Sequence, residues 1–278
     1  MLGAIIGDIV GSAHERGKNK LEKSKVKNPM DFPLFTEASE FTDDSLLTIA
    51  TMQCMLTGMS YADSYRMYAN KYPDSGFGGM FVSWFLSQTA GPYNSFGNGS
   101  AMRVSPVAYI SDDIDVVLAE AKRSADVTHN HPDGVAGAQA IALAVLLARL
   151  THSKDIIRTD IATRFGYDMY RTVAEIRPTY RFDVTCPGSV PEAIIAFLDS
   201  NNFEEAVRLA ISLGGDTDTQ ACMAGAIAEA FYGTVSIPTS IAQEAMQRLP
   251  AELADIVTAW YGRYLPGVLP IRAGGKNG

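Results

Sequence analysis

Helical periodicity runs along almost the whole chain and constrains its fold more than any other feature. Apolar residues recur at i, i+3 and i+4, or fill the segment, over 44–57, 60–71, 113–126, 133–150, 203–212, 217–232, 238–247 and 250–264. Stop signals agree with this reading. Gly58 closes the first segment, and Gly233 follows the run AEAFY. Alternating patterns are scarce, and the best candidate strand is the short stretch VTCPGSV at 184–190. The pattern predicts an all-α fold, a compact orthogonal bundle of about a dozen helices. The most apolar stretch, Val135 to Leu150, is interrupted by Gln139 and Arg149. It falls short of the ~20 residues that cross a bilayer, so a buried core helix is expected. Small residues crowd 221–231 (ACMAGAIAEAF), which lets neighbouring backbones approach closely.

Length and charge narrow the function. No internal repeat or long linker divides the 278 residues, so one domain over 1–265 with a tail at 266–278 is expected. A chain of this size buries roughly 75% of its extendable surface and needs no disulfide or metal merely to fold. Cys54, Cys186 and Cys222 are far apart and odd in number, which argues against a disulfide framework and against CxxC metal sites. Thirty-one acids against 23 bases give a net charge of -8, which disfavours a nucleic-acid-coating protein. The same balance sits awkwardly with an anionic substrate. The start MLGAIIGDIVGSAHER has no basic region before its apolar stretch, and Asp8 interrupts it, so a cytoplasmic location is expected.

Two polar clusters stand where apolar helices begin. Thr42-Asp43-Asp44-Ser45 precedes LLTIATMQCML. A Thr cap followed by first-turn acids suits the positive end of a helix, so this cluster alone has a structural explanation. Asp216-Thr217-Asp218-Thr219 follows Gly214-Gly215 and opens a nearly uncharged helix. Capping explains one such residue but not two acids and two hydroxyls. Carboxylates carried into a core cost several kcal/mol unless they are paired or bind a cation. Together the clusters suggest two helix starts converging on hard oxygen ligands for Mg²⁺ or Mn²⁺, with two cations and six side chains as one arrangement.

Loops supply the remaining candidates. Asn94-Ser95-Phe96-Gly97-Asn98-Gly99-Ser100 is a possible phosphate cradle or a plain turn, and Gly76-Phe77-Gly78-Gly79 repeats that logic more weakly. Thr128-His129-Asn130-His131-Pro132 precedes the core helix, which suits a substrate contact or, for His131, a cap; no partner motif supports zinc. Asp8 within an apolar helix needs a partner. Residues 16–33 carry six bases, and the basic stretch 16–27 reads either as a solvated loop or as a lid carrying Glu15.

In order and spacing, FTDDS at 41–45, GNGSAMRVSPVA at 97–108, THNHP at 128–132 and LGGDTDT at 213–219 resemble the ADP-ribosylglycohydrolases. The opening GAIIGDIVGSAHE resembles that family's N-terminal glycine-Asp helix followed by a functional Glu, and the likeness extends from residue 3 to about 233. It implies an all-α fold with a dinuclear Mg²⁺ or Mn²⁺ centre at converging helix N-termini. Carried over, the ligands are Thr42, Asp43, Asp44, Asp216, Asp218 and Thr219. Gly97, Asn98, Gly99 and Ser100 line the diphosphate and ribose, His129 meets the phosphates, and Ser95 and Phe96 sit near adenosine. Gly76 and Gly78 join the substrate site. Glu15 falls on the functional Glu, although His14 and Arg16 depart from the expected apolar neighbours. Glu15, Asp43, Asp44 and Asp218 are then the catalytic candidates.

The activity so implied is hydrolysis of the bond between ADP-ribose and an acceptor, with water attacking ribose C1″. An ADP-ribose-binding or structural protein on the same fold is the alternative. A prenyl-diphosphate enzyme is disfavoured, because DDxxD spacing fails where Asp44 is followed by Ser45, Leu46 and Leu47. Acceptor and oligomeric state are not legible.

Overall fold

The computed structural model describes residues 1–15 and 31–268. Most of the basic stretch, with its lid reading, and residues 269–278 lie outside the described residues. Every segment with helical periodicity forms a helix: α2 (Asp43–Thr57), α3 (Tyr61–Lys71), α6 (Ile114–Asp126), α7 (Pro132–Thr151), α11 (Phe203–Ser212), α12 (Thr217–Tyr232), α13 (Thr239–Gln247) and α14 (Ala251–Tyr264). Six further helices complete the described fold: α1 (Leu2–Glu15), α4 (Gly79–Leu86), α5 (Gly99–Met102), α8 (Lys154–Phe165), α9 (Val173–Ile176) and α10 (Cys186–Asp199).

The strand expected at 184–190 does not form. Thr185 accepts a hydrogen bond from the Gly188 amide and caps α10, with Pro187 in the first turn, where a missing N–H costs nothing. All that remains of strand character among the described residues is an isolated bridge between Gly97 and Thr185. That bridge matters for function, because it ties the glycine loop to the start of α10.

By length and composition α7 could cross a membrane, yet it is the buried hub of the bundle. Helices α5, α6, α8, α10 and α12 pack around it. His131 is its N-cap, accepting from the Asp133 amide at 3.1 Å through Nδ1.

The closest helix pair is α1 against α12. Gly3, Gly7 and Gly11 occupy one stripe of α1 at i, i+4 spacing. A methyl group on Gly7 would lie 2.0 Å from the Ala221 carbonyl oxygen, and one on Gly11 would lie 2.5 Å from that of Thr217. The two backbones therefore touch. This contact brings Asp8 of α1 beside the first turn of α12, while the cap at Thr42 brings in α2.

Candidate active site

Three helices deliver acids to one point. Asp8 is fully buried, and its carboxylate caps α2 by accepting from the Thr42 amide (2.9 Å), the Ser45 amide (3.0 Å) and the Thr42 hydroxyl (2.6 Å). This is the partner that an acid inside an apolar helix requires. From α12, the Thr219 hydroxyl donates to Asp44 Oδ2 at 3.1 Å, joining the two helix starts. Asp216 accepts from Asn98 Nδ2 at 2.7 Å. Carboxylate oxygens of Asp8, Asp44 and Asp218 lie within 4.8 Å of one another, as do those of Glu15, Asp216 and Asp218. Asp218 belongs to both groups.

So many acids in one buried place resist ionisation. Burial, reinforced by the charges of Asp8 and Asp216, pushes the Asp43 carboxyl up to about 8. Burial and then neighbouring carboxylates raise Asp44 and Asp218 well above the usual range. Asp8 is raised by burial despite its hydrogen bonds. Asp44 Oδ1 is buried with no hydrogen-bond partner among the described residues. A cluster of oxygen donors that repel one another, with one oxygen unpartnered, fits hard divalent cations such as Mg²⁺ or Mn²⁺. Asp8, Asp44 and Asp218, or Glu15, Asp216 and Asp218, could hold such a cation.

Glu15, Asp43, Asp44, Asp216 and Asp218 floor a cavity of about 610 Å³, within the range of small-ligand sites, with Asp8 buried behind them. Its walls include the Gly76–Met80 turn, the loop Gly97-Asn98-Gly99 and His129. Gly76 has φ +94 and turns the chain beside Asp43, whose amide donates to the Ser75 carbonyl at 2.7 Å. The 95–99 loop is pinned from behind. The Asn98 amide donates to the Val184 carbonyl (2.8 Å), the Cys186 amide donates to the Phe96 carbonyl (2.9 Å), and the Gly97 amide donates to Ser95 Oγ (3.1 Å). Two of the supposed cradle amides are thus engaged within the protein. What faces the cavity beside this loop is His129 Nε2, which would lie 3.1 Å from a methyl group on Gly99.

Comparison with known proteins decides what such a cavity belongs to. A profile of the ADP-ribosylglycohydrolases matches residues 1–265. The chain belongs to the ADP-ribosylglycohydrolase family. It is 28% identical to the ADP-ribosylhydrolase ARH3 of Gallus gallus, over 86% of each protein. It is 24% identical to the ADP-ribosylarginine hydrolase Tri1 of Pseudomonas putida (strain GB-1), over 92% of this chain and 76% of that one. A solved ADP-ribosylglycohydrolase-related protein complex shares the fold with a TM-score of 0.73, at 22% identity and over 95% of this chain and 97% of that one. As a member of this family, the protein is a hydrolase of ADP-ribosyl glycosidic bonds.

Most residues expected at the glycohydrolase site meet there. Glu15, Thr42, Asp43, Asp44, Asp216, Asp218 and Thr219 line the cavity, together with Gly76, Gly78, Ser95, Gly97, Asn98, Gly99 and His129. Ser100 is not among the lining residues. It is fully buried, and its hydroxyl donates to the Gly134 carbonyl at 2.7 Å. Phe96 also lies off the cavity wall, half exposed against the His131 ring at 5.3 Å between centroids. Asp8 was missed as a member of the acid cluster, although a lone carboxylate in a glycine-rich apolar helix was the available signal. Arg103, Phe182 and Val184 also line the cavity; Arg103 lies within the 97–108 motif and Val184 within the expected strand, but nothing in the sequence marked any of the three as site residues.

Proposed function

We propose that the cavity takes the ADP-ribosyl portion of a modified side chain, nucleotide or small molecule and cleaves its bond at ribose C1″. The observation that carries this reading is the shared cavity: the acids of α1, α2 and α12 stand in it beside the 95–99 loop and His129. An ADP-ribosyl group can use both surroundings at once, with cations held by these oxygens at its ribose hydroxyls and hydrogen-bond donors at its diphosphate. Bound divalent cations, two in this reading, would orient ribose hydroxyls and supply Lewis acidity.

The chain's own residues do the rest. Glu15 ends α1 at the cavity and accepts the proton of the attacking water. The water oxygen bonds to C1″ as the bond from C1″ to the acceptor breaks, and the departing nitrogen or oxygen takes up the proton that Glu15 accepted, which restores the Glu15 carboxylate. Phe77, Phe81 and Leu47 line the cavity and limit water around the developing positive charge.

The test is a panel of ADP-ribosylated arginine, serine and nucleic-acid substrates, with Mg²⁺ or Mn²⁺ and with chelator. The expected result is ADP-ribose release that chelation abolishes and Glu15→Gln slows. Release from no substrate under any metal would overturn the proposal. ADP-ribose binding without turnover would instead support the non-catalytic alternative.

A further inference from the structure

Beside the cavity runs a buried hydrogen-bond chain, of which the reaction above uses only the His129 end. Arg103 follows α5 and is fully buried. Its guanidinium lies 4.2 Å above the Tyr65 ring, and Nη2 donates to the Ser124 carbonyl (3.2 Å) and to Thr128 Oγ1 (2.8 Å). Its Nε and Nη1 have no hydrogen-bond partner among the described residues. Thr128 Oγ1, also fully buried, stands 2.7 Å from His129 Nδ1.

The chemistry of the three groups limits the direction of the chain without fixing it. A guanidinium only donates, so Thr128 Oγ1 accepts from Arg103. The hydroxyl keeps one proton to give and one lone pair to accept with, and His129 Nδ1 stands within reach of either; we take the hydroxyl as the donor. A nitrogen that accepts must be unprotonated, which in a neutral imidazole leaves the proton on Nε2. We propose that Arg103 and Thr128 act as positioning residues that hold His129 as its neutral Nε2–H tautomer, a donor aimed along the Gly97–Gly99 loop at a ligand phosphate oxygen. Burial, with the Arg103 charge adding to it, holds His129 far below the usual histidine range, in keeping with a neutral ring.

The phosphate part rests on the function proposed above, whereas the tautomer is readable without any ligand. Long-range ¹H–¹⁵N spectra of ¹⁵N-histidine-labelled protein, with His129→Gln to assign the signal, report which ring nitrogen carries the proton. The expected wild-type pattern is an unprotonated Nδ1 and a protonated Nε2. Thr128→Val should scramble that pattern and weaken ADP-ribose binding about tenfold in calorimetry, the size of one net hydrogen bond. Thr128→Ser, which restores the hydroxyl, should recover both. A wild-type Nδ1–H ring, or a Thr128→Val spectrum identical to wild type, would overturn the proposal. Wild-type protein with the Nε2–H ring but no affinity for ADP-ribose would support the chain and overturn the assigned ligand.

Discussion

Helices α1 and α12 bury carboxylates at both ends of their shared contact, and the two ends behave in opposite ways. At one end Glu229 accepts from the Met1 ammonium, from the Gly3 amide at 2.7 Å and from the Tyr261 hydroxyl. Burial alone would raise that carboxyl, but the ammonium and these hydrogen bonds together hold it below the usual carboxylate range. At the other end Asp8, Asp44 and Asp218 face one another, and their carboxyls are raised. Depth of burial is the same at both ends, so depth does not distinguish a structural acid from a functional one. Internal compensation does. Glu229 is satisfied by its own chain, whereas at the site like charges are left facing one another.

Substituting each end should separate these roles. The largest expected effect is from Asp218→Asn, which removes a carboxylate common to both acid groups. ADP-ribose release should fall about 10²–10⁴-fold, on the order of 3–5 kcal/mol of barrier. Chelated Asp218→Asn should melt no lower than chelated wild type, because one mutual repulsion is gone; a large drop in Tm would make Asp218 structural. Glu229→Gln is the mirror case. It strands a buried ammonium and should cost about 3–5 kcal/mol in denaturant unfolding, with kcat/KM unchanged where the protein stays folded.

A smaller effect comes from metal and pH together. In chelated protein the folded-state carboxyls of the cluster lie above their unfolded values, so folding takes up protons. Stability should be greatest at low pH and decline as pH rises from about 4 towards about 8, where Asp43 titrates. Added Mg²⁺ or Mn²⁺ should reverse the decline, by about 2.7 kcal/mol at one hundred times its Kd, and more strongly at high pH. Thermal melts at several pH values, with and without chelator, read both signs. The smallest effect is at the contact itself. Gly7→Ala places a methyl 2.0 Å from the Ala221 carbonyl oxygen, and overpacking there should cost about 1–3 kcal/mol. Activity should drop along with stability, because Asp8 shifts with the helix.

Legibility followed how local each signal was. The eight periodic segments became helices because the 3.6-residue repeat is written into each of them. Helix α8 escaped because its buried face is only Ile157 and Ile161, too few to mark a period. The start of α10 resembled a strand because Val184, Cys186 and Val190 are spread among Thr, Pro, Gly and Ser, a composition that also suits a capped helix start. The clusters at 42–45 and 216–219 were legible because acids at the mouth of an apolar helix are conspicuous. Asp8 was not placed among them, since one carboxylate in a helix does not say what it faces. Arg103 sat inside a recognised motif, but no sequence rule says that it lies buried over Tyr65 and bonded to Thr128. Ser100 looked like a cradle residue until its hydroxyl was seen to serve Gly134.

The sequence by itself determined the helical class and the two acid-rich helix starts, because each is a matter of neighbours within a few turns. Only the tertiary structure decided that Asp8 joins the acids, that two loop amides turn inward, and that Arg103, Thr128 and His129 form one chain. Those outcomes depend on residues tens to hundreds of positions apart meeting within hydrogen-bond distance. Whether a buried charge meets an opposite charge or a like one is settled by that meeting.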